Sequence, residues 1–197
     1  MKKYVNGSIK RYLEDLSARK VAPGGGSAAA LAASLGAGLN LMVINYTIFK
    51  NSSMARKLKV GQKNSLKKLT RFVDEDCEVF KRLMKALSRG KAADDDFISA
   101  ASVPLKICHE CLKSLRITYT ATPLLNKNLI TDVECAALVL FAAFYAAKLN
   151  VTINLKFIKD RAVRRKINVE LEKMDKEIIT RNEKISRTVE LVMRGKK

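Results

Sequence analysis

Residues 22–49 contain no charged side chain, although the 197-residue chain carries 38 Lys and Arg. The stretch opens APGGGSAAALAASLGAGL and is built mostly from glycine, alanine and serine. As a helix it is long enough to cross a bilayer, but its bulk is one-sided. Leu31, Leu35, Leu39 and Met42 form a single stripe, whereas a lipid-facing helix carries bulk on most sides. Ala28, Ala32 and Gly36 make one small face; Ala29, Ala33 and Ala37 make another. Small-xxx-small spacing also serves membrane helices. Faces without bulk let neighbouring helices close in on several sides. The pattern therefore predicts the central helix of an all-α, multi-helical bundle, with no membrane span.

The rest of the chain fits a single domain over residues 1–197. Ser8 to Leu16 reads as a short amphipathic helix. Ser27 is an N-cap for the small-residue helix, which is expected from Ala28 to about Phe49. Long apolar periodicities predict helices over 54–87, 97–120, 133 to at least 149, and 161–193. Asp132 or Thr131 is placed to cap the third of these. Residues 150–158 alternate with period two but have no partner strand, so they are read as a helical continuation.

Charge bounds the partners. Against the 38 basic residues stand 19 Asp and Glu, a formal net charge of +19. Residues 56–91 hold 12 basic and 4 acidic side chains, and residues 156–197 hold 14 and 7. Such a field attracts nucleic acid, anionic lipid or a small substrate with several anionic groups. With no Trp, a base-stacking platform for single strands is disfavoured; nucleic acid remains an alternative that is not favoured. The N-terminus MKKYVNGSIKRYLEDL has no apolar run typical of a secretion signal. Cys77, Cys108, Cys111 and Cys135 are expected to stay reduced in the cytoplasm.

Three features suggest chemistry. Gly24, Gly25 and Gly26 immediately precede a helix, where free N–H groups and the helix dipole favour an anion or a polar carbonyl; a tight turn for close packing explains them equally well. Leu69, Val73, Asp76, Phe80, Leu83 and Leu87 recur at spacings of four and three, so Asp76 occupies a core-facing position, while Asp74, Glu75 and Glu78 face solvent. A carboxylate there must find donors or have its pKa raised, as a general acid or base requires; a structural acid bonded to a neighbouring element is the competing reading. Asn150 and Asn154 share a helix face. Cys108-His109-Glu110-Cys111 has no second Cys or His pair for zinc and reads as core.

Four blocks together resemble the cyclodeaminase/cyclohydrolase family, which includes the C-terminal half of formimidoyltransferase-cyclodeaminase and bacterial methenyltetrahydrofolate cyclohydrolases. The blocks are APGGGSAAALAASLGAGL, DEDCEVF, VPLKI and NKNLITDVECAALVLFAAFYAAKLNVTINLKFIKD. The resemblance implies an all-helical homodimer that binds a tetrahydrofolate derivative, possible polyglutamyl forms included, as substrate and without a metal. It puts the catalytic carboxylate at Asp76. It also implies that Pro23, Gly24, Gly25, Gly26, Ser27, Asn126, Asp132 and Asn154 line or support the pocket. The segment LSRGKAADDDF is shorter than its family counterpart, Leu125 stands where a glycine often precedes the asparagine, and Thr131 replaces serine. The rival expectation is a non-catalytic basic helical module that binds RNA or a protein partner.

Overall fold

A computed structural model describes residues 3–195. Six helices follow one another: α1 (Ile9–Ser17), α2 (Gly25–Asn45), α3 (Ser52–Ser88), α4 (Asp94–Ala121), α5 (Ile130–Leu155) and α6 (Arg161–Met193). Short 3-10 turns join α4 to α5, and the described residues include no strand. α2 packs against α3, α4 and α5, and α6 closes over α4 and α5.

The small residues make this packing possible. Ala29, Ala30, Ala33 and Ala37 are at most 2% exposed. A Cβ on Gly36 would lie 2.9 Å from Leu140 Cγ and 3.1 Å from the Ala136 carbonyl oxygen, so a glycine lets α2 and α5 approach backbone to backbone. The bulky stripe faces outward: Leu35 is 63% exposed, and Leu31, Leu39 and Met42 are half-buried. α2 is thus central by virtue of its alanines, with its leucines at the rim. α2 and residues 127–155 are both long and apolar enough to cross a membrane, and both are packed within the bundle. Buried polar ties add register: Gln62 Nε2 on α3 donates to the Ala37 carbonyl (2.9 Å) on α2 and to Ser114 Oγ (2.5 Å) on α4.

Several boundaries differ from the sequence reading. α2 begins at Gly25 with Gly24 as its N-cap, so Ser27 lies inside the first turn; its hydroxyl is used elsewhere and cannot cap. α2 ends at Asn45, four residues before Phe49, and Thr47 anchors the exit by donating to the Val43 carbonyl (2.8 Å). α4 starts at Asp94, because Asp96 reaches back to accept from the Ala93 N–H (3.0 Å). α5 starts at Ile130 with no side-chain cap. Asp132 is therefore not an N-cap; it sits in the first turn, where its charge suits the helix dipole. Residues 150–155 continue α5 as a helix. Cys108 and Cys111 are fully buried, whereas Cys135 is exposed.

Candidate active site

The first turn of α2, the middle of α3, the start of α4 and the end of α5 meet at one end of the bundle. They enclose a cleft of about 240 Å³ with Gly24, Gly25, Gly26, Asp76, Asn150 and Asn154 as its polar lining. The walls are apolar. Phe80, Met84, Leu87, Ile153 and Phe157 all line the cleft and all remain 38–55% exposed. Half-exposed aromatic and aliphatic side chains gathered around one hollow mark a ligand surface.

Asp76 faces the start of α2 at very short range. Any Cβ on Gly26 would overlap its carboxylate, so glycine is required by the approach of α3. A Cβ on Gly25 would lie 3.2 Å from Asn150 Nδ2. Burial pushes the Asp76 carboxyl up to about 6, against the opposing pull of the Ser27 backbone N–H. The first N–H groups of α2 have no carbonyl partner within the helix, and the positive end of the dipole adds to their pull on anionic or carbonyl oxygens.

Behind the cleft, Ser27 is fully buried. Its hydroxyl donates to the Val73 carbonyl (2.8 Å) and lies 3.1 Å from the Tyr12 hydroxyl. On α5, Asn150 Nδ2 donates to the Ala146 carbonyl (2.8 Å) and Asn154 Nδ2 to the Asn150 carbonyl (2.7 Å). Each amide spends one of its two N–H donors on the helix, so each side chain keeps a second N–H and its carbonyl oxygen for a ligand. Across the mouth, Phe97 and Phe157 stack with centroids 5.1 Å apart. Asp94 holds that pair together: its Oδ2 accepts from the backbone of Lys159 (2.7 Å) and Asp160 (2.9 Å).

The residues singled out by sequence divide into two groups. Gly24, Gly25, Gly26, Asp76 and Asn154 line the cleft. Pro23 is buried beneath the turn, and Ser27 acts through its N–H. Asn126 and Asp132 lie at the other end of α5, roughly 27 Å along the helix from Asn150. There Asn126 Oδ1 accepts from the Asn128 N–H (3.0 Å), and its own N–H donates to Thr47 Oγ1 (3.1 Å). Part of the apolar stripe on α3 is core, since Leu69, Val73 and Leu83 are buried, but Phe80 and Leu87 open onto the cleft beside Asp76.

Asp74 was expected in solvent. It is 6% exposed, and it accepts from the backbone N–H groups of Tyr4 (2.6 Å) and Val5 (3.3 Å). The N-terminal arm packs across that face of α3 and brings its own donors, which periodicity within α3 cannot reveal. Sequence reasoning also missed Tyr12 and the Phe97–Phe157 pair; in both cases the partner is distant in the chain. Among the described residues, no cluster of three or more His, Cys, Asp or Glu is placed to hold a metal ion.

The formiminotransferase-cyclodeaminase family matches residues 8–173. The chain is 31% identical over 202 aligned positions to the methenyltetrahydrofolate cyclohydrolase of Methylorubrum extorquens, covering 93% of this chain and 96% of that protein. It is 29% identical to the formimidoyltransferase-cyclodeaminase of Mus musculus over 81% of this chain. It spans only 32% of that longer protein's length. The crystal structure of formiminotetrahydrofolate cyclodeaminase from Thermotoga maritima superposes with a TM-score of 0.88 at 27% identity, over 95% of this chain and 98% of that one.

Proposed function

The chain belongs to the formiminotransferase-cyclodeaminase family, and from that premise we propose that it is a tetrahydrofolate one-carbon enzyme, a cyclodeaminase or a methenyltetrahydrofolate cyclohydrolase. The observation that carries the reading to particular residues is the meeting of Asp76 with the first turn of α2 inside an apolar cleft.

Both reactions pass through a tetrahedral carbon between N5 and N10 of the reduced folate, and both need a proton moved. In the deaminase, N10 attacks the formimidoyl carbon. Asp76 takes the N10 proton and returns it to the departing nitrogen, which leaves as ammonia. In the hydrolase, water attacks the methenyl carbon. Asp76 takes one water proton and gives it to N5 as the C–N5 bond opens, while the second proton leaves the new formyl oxygen for solvent. A carboxyl near 6 is mostly ionised at neutral pH, yet its conjugate acid is weak enough to form readily. Its negative charge, in surroundings of low polarity, also stabilises the cationic amidine.

The remaining groups bind and orient. The first-turn N–H groups of α2 and the carbonyl oxygens of Asn150 and Asn154 meet polar atoms of the pterin. Phe97 and Phe157 give its aromatic portion a surface. The exposed Lys85, Arg89, Lys156 and Lys159 flank lining residues of the cleft in sequence and suit the carboxylates of glutamyl tails. The outward stripe centred on Leu35 supports a homodimer. Four free thiols, one of them exposed, suit a reducing cytoplasm.

The test is the loss of methenyltetrahydrofolate absorbance, run beside ammonia release from 5-formimidoyltetrahydrofolate, with Asp76→Asn as control. Turnover of one substrate by the natural chain, and loss of it in the variant, supports the reading and assigns the reaction. Equal rates in the two proteins would remove Asp76 from the mechanism. No rate on any folate would leave the basic binding module.

A further inference from the structure

We propose that Tyr12 on α1, outside the cleft, is a positioning residue for the reaction: through Ser27 it fixes the backbone N–H that faces the Asp76 carboxylate. The inference rests on the folate reading above. Ser27 has a single hydroxyl proton, and the Val73 carbonyl takes it at 2.8 Å. The contact of 3.1 Å with Tyr12 is therefore a bond that the phenol donates. Ser27 thus ties α2 to α3 by its hydroxyl at Val73, while its N–H pulls on the Asp76 carboxylate one turn later. The Tyr12 bond reaches its side-chain oxygen from α1.

Tyr12 is itself held firmly. It is 4% exposed, and the Tyr4 ring meets it edge-on at 5.3 Å. The Tyr4 and Val5 amides are fastened to Asp74, two residues before Asp76. The arm therefore contacts α3 within one turn of Asp76. A packing role alone would need neither hydroxyl, since a phenylalanine and an alanine fill nearly the same space; a buried polar pair that spans three elements sets direction as well as distance.

The surroundings leave this control largely unopposed. The residues of α2, α4 and α5 that line the cleft carry no ionisable side chain. Facing Asp76 are Tyr12 and Cys77, both pushed up by burial and hence neutral. Asp74 is engaged with the arm. Lys81, further along α3, acts on Cys77.

The experiment compares the natural chain with Tyr12→Phe, Ser27→Ala and the double variant. It follows kcat and KM against pH, the Asp76 titration by carbon-13 NMR of its side-chain carboxyl, and thermal midpoints. Tyr12→Phe is expected to lower kcat roughly tenfold with KM little changed. Because a looser N–H supports the carboxylate less, the Asp76 midpoint moves up by about half a pH unit. Adding Tyr12→Phe to Ser27→Ala changes little further, since the two act as one unit. An unchanged kcat and midpoint, with only a lowered melting temperature, would overturn the proposal, and so would fully additive effects. If the natural chain turns over no folate, the functional reading fails by itself, and the NMR midpoints still decide whether Tyr12 acts on Asp76.

Discussion

Gly26 and Asp76 stand so close that one added carbon does not fit between them. The helix that supplies the N–H donors and the helix that supplies the carboxylate are locked together at the point where chemistry is proposed. Gly26→Ala tests how far the rate depends on that contact. Alanine is the better helix former by about 1 kcal/mol, so propensity favours the variant, but overpacking costs about 1–3 kcal/mol. The carboxylate must rotate away, and kcat is expected to fall on the order of a hundredfold. Gly25→Ala meets only the amide end of Asn150 and should lose much less. Equal activity in both variants would contradict the requirement at Gly26. Steady-state kinetics decides it.

Asp76 is expected to weaken the protein that uses it. Its folded pKa of about 6 lies above the ordinary 3.8. Below the ordinary value the group is neutral in both the folded and unfolded chain, and burial costs nothing extra. As pH rises through 6, the folded state must carry a buried charge that the unfolded state solvates freely, and stability is lost. A shift of this size corresponds to about 2–3 kcal/mol. Asp76→Asn should therefore be more stable than the natural chain at pH 8, with the gap closing by pH 4, while its activity falls by about a hundredfold to ten-thousandfold. In the natural chain, kcat/KM should rise through about pH 6 as the carboxylate forms. Chemical denaturation at the two pH values, beside a pH–rate profile, measures both effects.

Periodicity made much of this legible and also marks where reading along one chain stops. The uncharged Ala-rich stretch identified the central helix, and the four-and-three spacing on α3 brought out Asp76, because both signals are local. The same spacing put Asp74 in solvent, yet it is held by Tyr4 and Val5, some seventy residues earlier in the chain. Ser27 looked like a cap by residue type; the fold gives its hydroxyl to Val73 and Tyr12, and Gly24 takes the terminal position. Leu31, Leu35, Leu39 and Met42 follow a core-like pattern but face outward, because the alanines opposite them pack more closely. Local pattern selects which face is unusual, and tertiary approach decides what that face meets.

That outward stripe gives a prediction about assembly. Leu35 is 63% exposed, with Leu31, Leu39 and Met42 half-buried beside it on α2. If two copies pair through this face, Leu35→Glu places a charge in a desolvated interface and shifts the population to monomer. Sedimentation at micromolar concentration should show a dimer for the natural chain and a monomer for the variant, with an unchanged helical circular dichroism spectrum. A variant that stays dimeric would move the interface elsewhere.

The basic residues near the cleft separate glutamyl-tail recognition from a merely solvated surface. Lys85, Arg89, Lys156 and Lys159 are exposed and lie within two residues of Met84, Leu87 and Phe157, which line the hollow. Raising salt from ~50 to ~300 mM shortens the screening length from roughly 14 Å to roughly 6 Å. A tail with several carboxylates, held by exposed cations, should lose affinity over that range, and KM for a polyglutamylated substrate is expected to rise about fivefold. A monoglutamyl substrate, bound through the pterin and the apolar walls, should change less than about twofold. Lys85→Glu with Lys156→Glu should flatten the salt response of the polyglutamylated form and leave kcat in place, since neither side chain lines the cleft. Identical salt responses for the two substrates would show that these lysines serve solubility and take no part in binding the tail.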